Sequence, residues 1–135
     1  MYTIIVGCGR TGGELASRLS RAGHEVVIID QSEASFSNLS PEFTGFKLHG
    51  NAAELSLLEE AKIDRADVFV ATSDDDNVNY MTSRIANCIF NVPRVLVRIN
   101  EPEKEILYEK TELETFSPTT LLAGQLANTI TDNLE

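Results

Sequence analysis

Short apolar runs alternate with longer stretches of helical periodicity along the whole chain. Each run is rich in Val and Ile, which is typical of a strand covered on both faces. Six strands are predicted, at 3–6, 26–29, 46–48, 67–72, 94–99 and 114–116. Because strands separated by crossover segments pair in parallel, the pattern predicts an α/β fold. We expect a Rossmann-like, doubly wound parallel sheet of order 3-2-1-4-5-6 with a C-terminal crossover helix.

Apolar residues at helical spacing occupy most of the segments between these strands. Predicted helices cover 11–22, 51–61, 74–90, 103–110 and 118–133. The Ser-rich segment 32–40 is expected to be a poor or short crossover helix, and Asn51 to cap the helix that follows it. In the last helix, a stripe of apolar residues four apart is equally typical of a core-facing helix and of a helix that packs on another chain. The stripe consists of Leu122, Leu126, Ile130 and Leu134.

The composition of the chain limits the classes of partner that it can bind. The 135 residues include 11 Lys and Arg against 21 Asp and Glu, a net charge of −10. The basic residues are scattered and outnumbered, which argues against nucleic acid and against an anionic membrane surface. No apolar run approaches the ~18 residues that span a bilayer, so no membrane insertion is expected. Cys8 and Cys88 are too few for a disulfide scaffold and are expected to be reduced in the cytosol.

The first predicted strand and helix are joined by a G-x-G-x-x-G loop, Gly7-Cys8-Gly9-Arg10-Thr11-Gly12. Gly7 permits the tight turn, Gly9 lets a pyrophosphate approach the backbone, and Gly12 lets the helix pack closely. The backbone N–H groups and the helix dipole attract phosphate. The loop therefore indicates a nucleotide site, against the alternative of a turn that only connects strand and helix.

An acidic residue stands where such a site requires one. Asp30 lies 18 residues beyond Gly12, at the end of the second strand, and Gln31 follows it. The carboxylate would accept hydrogen bonds from ribose hydroxyls and repel a 2′-phosphate, which favours NAD or adenosine nucleotides over NADP. Arg10 is either a phosphate ligand or a solvated loop residue. Cys8 contributes mainly its backbone, with a redox-sensing thiol as the minor alternative.

Two further turns and one strand end fall at the same edge of the predicted sheet. Asn51 and Ala52 follow the third strand, on the adenine side. Thr72, Ser73 and Asp74 follow the fourth strand, across the switch point from the glycine loop, where ligands bind. Helix capping is an alternative role for Thr72 and Ser73. Arg98, at the end of the fifth strand, either faces the cleft or pairs with Glu101 or Glu103.

No catalytic residue and no metal site are predicted. The carboxylates of Asp74–Asp76 are interpreted as a solvated helix start rather than as ligands of a divalent cation. His49 is at the ligand edge but has no partner for acid–base or nucleophilic work. The alternative function is the cofactor-binding domain of a small NAD-dependent oxidoreductase, which would need a proton donor beside the nicotinamide.

Four segments together resemble one family, the TrkA-type N-terminal domain, also called the KTN or RCK domain. They are 4–12, 27–30, 50–52 and 71–75. The resemblance implies a cytosolic regulatory module of potassium channels or transporters. Such modules bind NAD(H), ATP, ADP or AMP and do not turn them over. The resemblance implies that Gly7, Gly9, Arg10 and Gly12 form the family's phosphate loop and that Asp30 is its ribose acid. Asn51 and Ala52 lie in the turn where the family often has Gly-Asp-Ala. Thr72, Ser73 and Asp74 match the segment beside the phosphates or the nicotinamide.

The resemblance also implies partners. The family forms homodimers and ring-like homo-oligomers on the cytoplasmic face of a membrane potassium channel or transporter subunit. Residues 1–117 are then the nucleotide-binding domain, and 118–135 the crossover helix that packs on a partner subunit. Many relatives continue into a smaller regulatory domain that these 135 residues do not include. The sequence leaves both a full subunit and a truncated chain open.

Overall fold

A single six-stranded sheet forms the centre of the computed structural model, which describes residues 1–132. All neighbouring strands are parallel, and their order is β3-β2-β1-β4-β5-β6, which confirms the predicted topology. The strands are β1 Tyr2–Val6, β2 Glu25–Asp30, β3 Phe46–His49, β4 Val68–Ala71, β5 Arg94–Arg98 and β6 Glu114–Phe116.

The connections between the strands differ in their helical content. The α-helices are α1 Arg10–Arg21, α2 Leu55–Glu60, α3 Asp76–Cys88 and α4 Pro118–Asp132. The Ser-rich connection contains a short 3₁₀ helix, Glu33–Asn38, as expected. The segment predicted as a helix at 103–110 is instead a 3₁₀ helix, Pro102–Tyr108.

The predicted helix cap at Asn51 is wrong. Helix α2 begins at Leu55, its N-cap residue is Glu54, and no side chain of the described residues caps it. Asn51 Oδ1 accepts a hydrogen bond from the N–H of Ala53 at 2.9 Å. The side chain therefore closes the turn after β3, because a local Asx turn competes with capping for the same oxygen.

Two apolar clusters cover the two faces of the sheet. Ile4 and Ile29 face α2 and α3, whereas Ile5 and Ile28 face α1. This alternation follows from the two-residue period of a strand. In the register of the sheet, Val6 lies beside both Ile29 and Ala71. The chain therefore leaves β1, β2 and β4 at one edge, and the turns that follow them meet there.

Helix α4 differs from the others, because none of its residues is buried. Its large apolar side chains are more than half exposed, namely Leu121, Leu122, Leu126 and Ile130. The core-facing interpretation of the stripe is wrong for this part of the helix, and Leu134 lies outside the described residues. Within residues 1–132, no helix combines the length and apolar character needed to cross a membrane.

Candidate functional site

A cleft of about 890 Å³ opens at the carboxyl edge of the sheet, between the turns that follow β1, β2 and β4. This size suits a small-molecule ligand. Its lining includes ten of the predicted site residues: Gly7, Gly9, Arg10, Thr11, Asp30, Gln31, Thr72, Ser73, Asp74 and Arg98. Ser32 and Ser35 also line it. The sequence interpretation missed these two serines, although they lie only two and five residues after Asp30.

The other four predicted residues do not line the cleft. Cys8 and Ala52 are buried in the two apolar clusters. Gly12 is buried beneath the loop, and Asn51 is engaged in its own turn. The structure therefore brings together the glycine loop, the acidic residue and the turn after β4, but not the turn after β3.

Each glycine of the loop has a different structural reason. Gly7 has a φ of +102°, and a Cβ there would lie 2.8 Å from the backbone nitrogen of Ser73. A Cβ on Gly12 would overlap the carbonyl oxygen of Gly7. At Gly9, by contrast, no atom of the described structure lies within 4 Å of such a Cβ. Gly9 thus leaves its backbone open toward the cleft, where a phosphate can approach.

The first turn of α1 points its donors at this opening. Gly9 is the N-cap residue, and no side chain within residues 1–132 caps the helix. The first N–H groups of a helix have no partner inside the helix. An anion in the cleft would satisfy them and would gain from the helix dipole.

The carboxylate of Asp30 is held in place by two backbone donors. Its Oδ2 accepts from the N–H of Cys8 at 2.8 Å, and its Oδ1 accepts from the N–H of Ser32 at 2.7 Å. Burial, reinforced by the charge of Asp30, raises the pKa of the Cys8 thiol to about 11. The thiol therefore stays protonated at neutral pH, which argues against the redox-sensing alternative because the thiolate is the reactive form.

The turn after β4 is held by a residue that the sequence interpretation missed. Asn79 of α3 is fully buried, and its Oδ1 accepts from the N–H of Ser73 at 2.9 Å. The N-cap of α3 is Asp75, so the capping alternative for Thr72 and Ser73 is wrong. The available signal was a polar residue on the face of α3 that packs against the sheet.

Arg98 carries an unpartnered donor. Its Nε is buried and finds no hydrogen-bond acceptor among the described residues. The alternative of a salt bridge to Glu101 or Glu103 is wrong, because Arg98 forms no ion pair among the described residues, and Glu101 pairs instead with Lys104 at 3.4 Å. A buried donor without an acceptor is costly. Arg98 also lines the cleft, so its charged guanidinium fits an anionic ligand there.

The acidic residues at the start of α3 have structural partners. Asp75 accepts from the N–H groups of Asn77 and Val78. Asp76 accepts from the N–H groups of Asn100 at 2.7 Å and Glu101 at 2.9 Å. Burial tends to raise the pKa of Asp76, but these hydrogen bonds outweigh burial and lower it. In the described part of the chain, no group of three or more His, Cys, Asp or Glu could hold a metal ion.

Known proteins share this architecture. The Trk system potassium uptake protein TrkA of Streptomyces coelicolor is 35% identical over 126 residues, covering 93% of this chain and 56% of that protein. This chain thus spans little more than half the length of that relative. The AMP-bound Kef CTD of Shewanella denitrificans has a TM-score of 0.81 at 21% identity, covering 99% of this chain and 82% of that one. The GsuK RCK domain has a TM-score of 0.75 at 26% identity, covering 99% and 29% respectively.

The family follows from the sequence match together with the fold. The TrkA-N domain model matches residues 3–117, which run from β1 to the residue before α4. The same residues form the parallel sheet and the cleft at its carboxyl edge. The chain therefore belongs to the TrkA-N domain family.

Proposed function

We propose that this chain binds NAD(H) or an adenine nucleotide in the cleft at the carboxyl edge of the sheet. One observation carries the proposal: open N–H groups of the glycine loop, the Asp30 carboxylate and Arg98, whose Nε has no partner among the described residues, line one cavity. The loop and Arg98 supply donors for phosphate, and Asp30 supplies an acceptor for ribose hydroxyls. The AMP-bound relative of the same fold supports this class of ligand.

We propose binding without turnover. Among the described residues that line the cleft there is no His, Lys, Tyr or Cys. A hydride-transfer enzyme commonly needs such a group to supply or remove a proton. The alternative, a cofactor domain of a small oxidoreductase, would be supported by protein-dependent oxidation of NADH with a carbonyl substrate.

The biological role proposed is regulation of potassium uptake. The relatives named Trk system potassium uptake protein TrkA support this role. In this proposal, residues 1–117 form the nucleotide-binding domain and 118–135 the crossover helix. The chain acts in the cytoplasm, at the inner face of the membrane, through a channel or transporter subunit.

Homo-oligomerisation through α4 is part of the same proposal. Its apolar side chains are exposed, and a second copy of the helix would bury them. A nucleotide changes potassium flux in this scheme only if it binds two packing states of the oligomer with different affinity. The ligand would then shift the population of those states, and the change in packing would act on the membrane partner.

Calorimetry with NADH, NAD, ATP, ADP and AMP tests the binding proposal. We expect at least one nucleotide to bind in the micromolar to low millimolar range and to raise the melting temperature. Absence of binding by all five nucleotides would contradict the binding proposal.

Sedimentation of Leu126→Lys, with Gln125→Lys as the control on the same helix, tests oligomerisation. We expect only Leu126→Lys to shift the chain toward monomer.

A further inference from the structure

A fully buried amide connects two of the segments that line the cleft, the turn after β4 and the end of β5. Asn79 Nδ2 donates to the carbonyl oxygen of Ser73 at 2.9 Å and to that of Arg98 at 3.1 Å. Its Oδ1 accepts from the N–H and the hydroxyl of Ser73, at 2.9 and 2.8 Å. We propose that Asn79 is a positioning residue of the nucleotide site, an inference that rests on the proposed function.

The hydrogen bonds of Asn79 leave Ser73 little freedom. Both the N–H and the carbonyl oxygen of Ser73 are paired with the same side chain, so the amide can take only one orientation. The backbone of Ser73 also lies directly against Gly7, where even a Cβ would be too close. Asn79, together with Asn100 Nδ2, which also donates to the carbonyl oxygen of Ser73 at 3.1 Å, therefore holds the turn after β4 in place beside the phosphate loop.

The same amide holds the end of β5. Arg98 is the last residue of that strand, and it also lines the cleft. The bond from Asn79 to the Arg98 carbonyl fixes the backbone from which the guanidinium extends. Asn79 is not among the cleft-lining residues, so it acts on the ligand through Ser73 and Arg98.

Two other buried polar residues of α3 show that this arrangement is specific. Thr82 and Ser83 are as buried as Asn79. Their hydroxyls donate to carbonyl oxygens of α3 itself, those of Val78 and Tyr80. Local bonds of this kind satisfy a buried hydroxyl without any reach beyond the helix. Of these three residues, Asn79 is the one whose side chain bonds both the turn after β4 and the end of β5, and Thr82 offers a matched control.

The test compares Asn79→Ala with Thr82→Val by calorimetry, using the tightest binder among NADH, NAD, ATP, ADP and AMP. Titrations are run below the melting temperature of the less stable variant. We expect Asn79→Ala to weaken binding about tenfold, the equivalent of about one hydrogen bond. Thr82→Val should bind within about twofold of wild type even if its melting temperature falls. Wild-type affinity in Asn79→Ala would overturn the inference.

A measurement on the wild-type chain covers the case in which Asn79→Ala does not fold. We expect the side-chain amide signal of Asn79 and the backbone amide signal of Ser73 to shift together on nucleotide titration by NMR. Unmoved signals during saturable binding would overturn the inference but not the proposed function. A wild-type chain that binds none of the five nucleotides would overturn both.

Discussion

The carboxylate of Asp30 accepts a hydrogen bond from the backbone N–H of Cys8 at 2.8 Å, across the gap between β2 and the glycine loop. The acid that would contact the ribose thus also holds the loop that would contact the phosphates. A carboxylate oxygen has two lone pairs, so the same atom can accept from Cys8 and from a ribose hydroxyl. Ribose and phosphate recognition are therefore linked through one side chain.

Replacement of Asp30 should weaken every ligand that carries an adenosine ribose. For Asp30→Ala we expect a loss of about 1.5–3 kcal/mol in binding free energy, as for a charged hydrogen bond, measured by calorimetry. Asp64→Ala, an exposed acid in the 3₁₀ helix Ile63–Arg65, controls for the change in net charge. Unchanged affinity in Asp30→Ala would remove this residue from the site.

Two glycines of the loop should separate ligand binding from folding. Gly9→Ala places a methyl group in open space, so we expect a stability loss below about 1 kcal/mol and a clear loss of nucleotide affinity. Gly12→Ala drives a methyl group into the Gly7 carbonyl, and we expect a loss of about 1–3 kcal/mol in unfolding free energy. Urea unfolding and calorimetry measure the two effects. Equal stability losses in the two variants would contradict the different roles of Gly9 in ligand binding and Gly12 in packing.

Because the Nε of Arg98 has no partner among the described residues, replacing this residue should not destabilise the ligand-free protein. Arg98→Met removes an unsatisfied buried donor, so we expect an unchanged or higher melting temperature without ligand. Affinity for AMP should fall by about 1.5–3 kcal/mol because a charged hydrogen bond to phosphate is lost. Adenosine, which lacks the phosphate, is the internal control. A similar loss for AMP and adenosine would refute a phosphate contact.

Asp76 should make stability depend on pH. Its pKa in the folded protein is lowered, chiefly by hydrogen bonds from Asn100 and Glu101 that overcome the effect of burial. Its contribution is therefore complete above the ordinary value of about 3.9 and is lost as the pH falls through the lowered value. We expect Asp76→Asn to be less stable by about 1–3 kcal/mol at pH 7.

The pH series supplies the control for this prediction. The difference between Asp76→Asn and wild type in urea unfolding should shrink below about pH 4, as the wild-type carboxylate is protonated first in the unfolded chain and then, at its lowered pKa, in the folded protein. Asp74→Asn changes the same charge at an exposed position two residues away. Its stability should stay near that of wild type throughout. A constant difference for Asp76→Asn from pH 7 to pH 3 would show that its charge is not involved.

Local patterns were sufficient for the sheet and for part of the cleft. Continuous apolar runs indicate buried strands, and a glycine loop followed at the proper distance by an acid indicates where β1 and β2 end. Such patterns could not predict the role of Asn79. Asn79 contacts Ser73 and Arg98, residues 6 and 19 positions away, through side-chain geometry that no spacing in the chain encodes.

Competing local roles were also undecided in the sequence. The oxygen of Asn51 can cap a helix or close a turn, and Arg98 can pair with a nearby acid or face the cleft. Each pair of outcomes uses the same residue at the same spacing, so only the backbone path around it selects one. The structure selected the Asx turn for Asn51 and the unpaired, half-buried state for Arg98.

The sequence by itself determined the strand order, the glycine loop and the acid that faces it, because these follow from periodicity and from residue types at short range. Only the tertiary structure decided which residues meet in the cleft and that the stripe at Leu122, Leu126 and Ile130 is exposed. Apolar residues have the same spacing in a helix that packs on its own core and in a helix whose apolar face is exposed. The two cases differ in whether another segment of the chain covers the apolar face, and this depends on how distant segments pack.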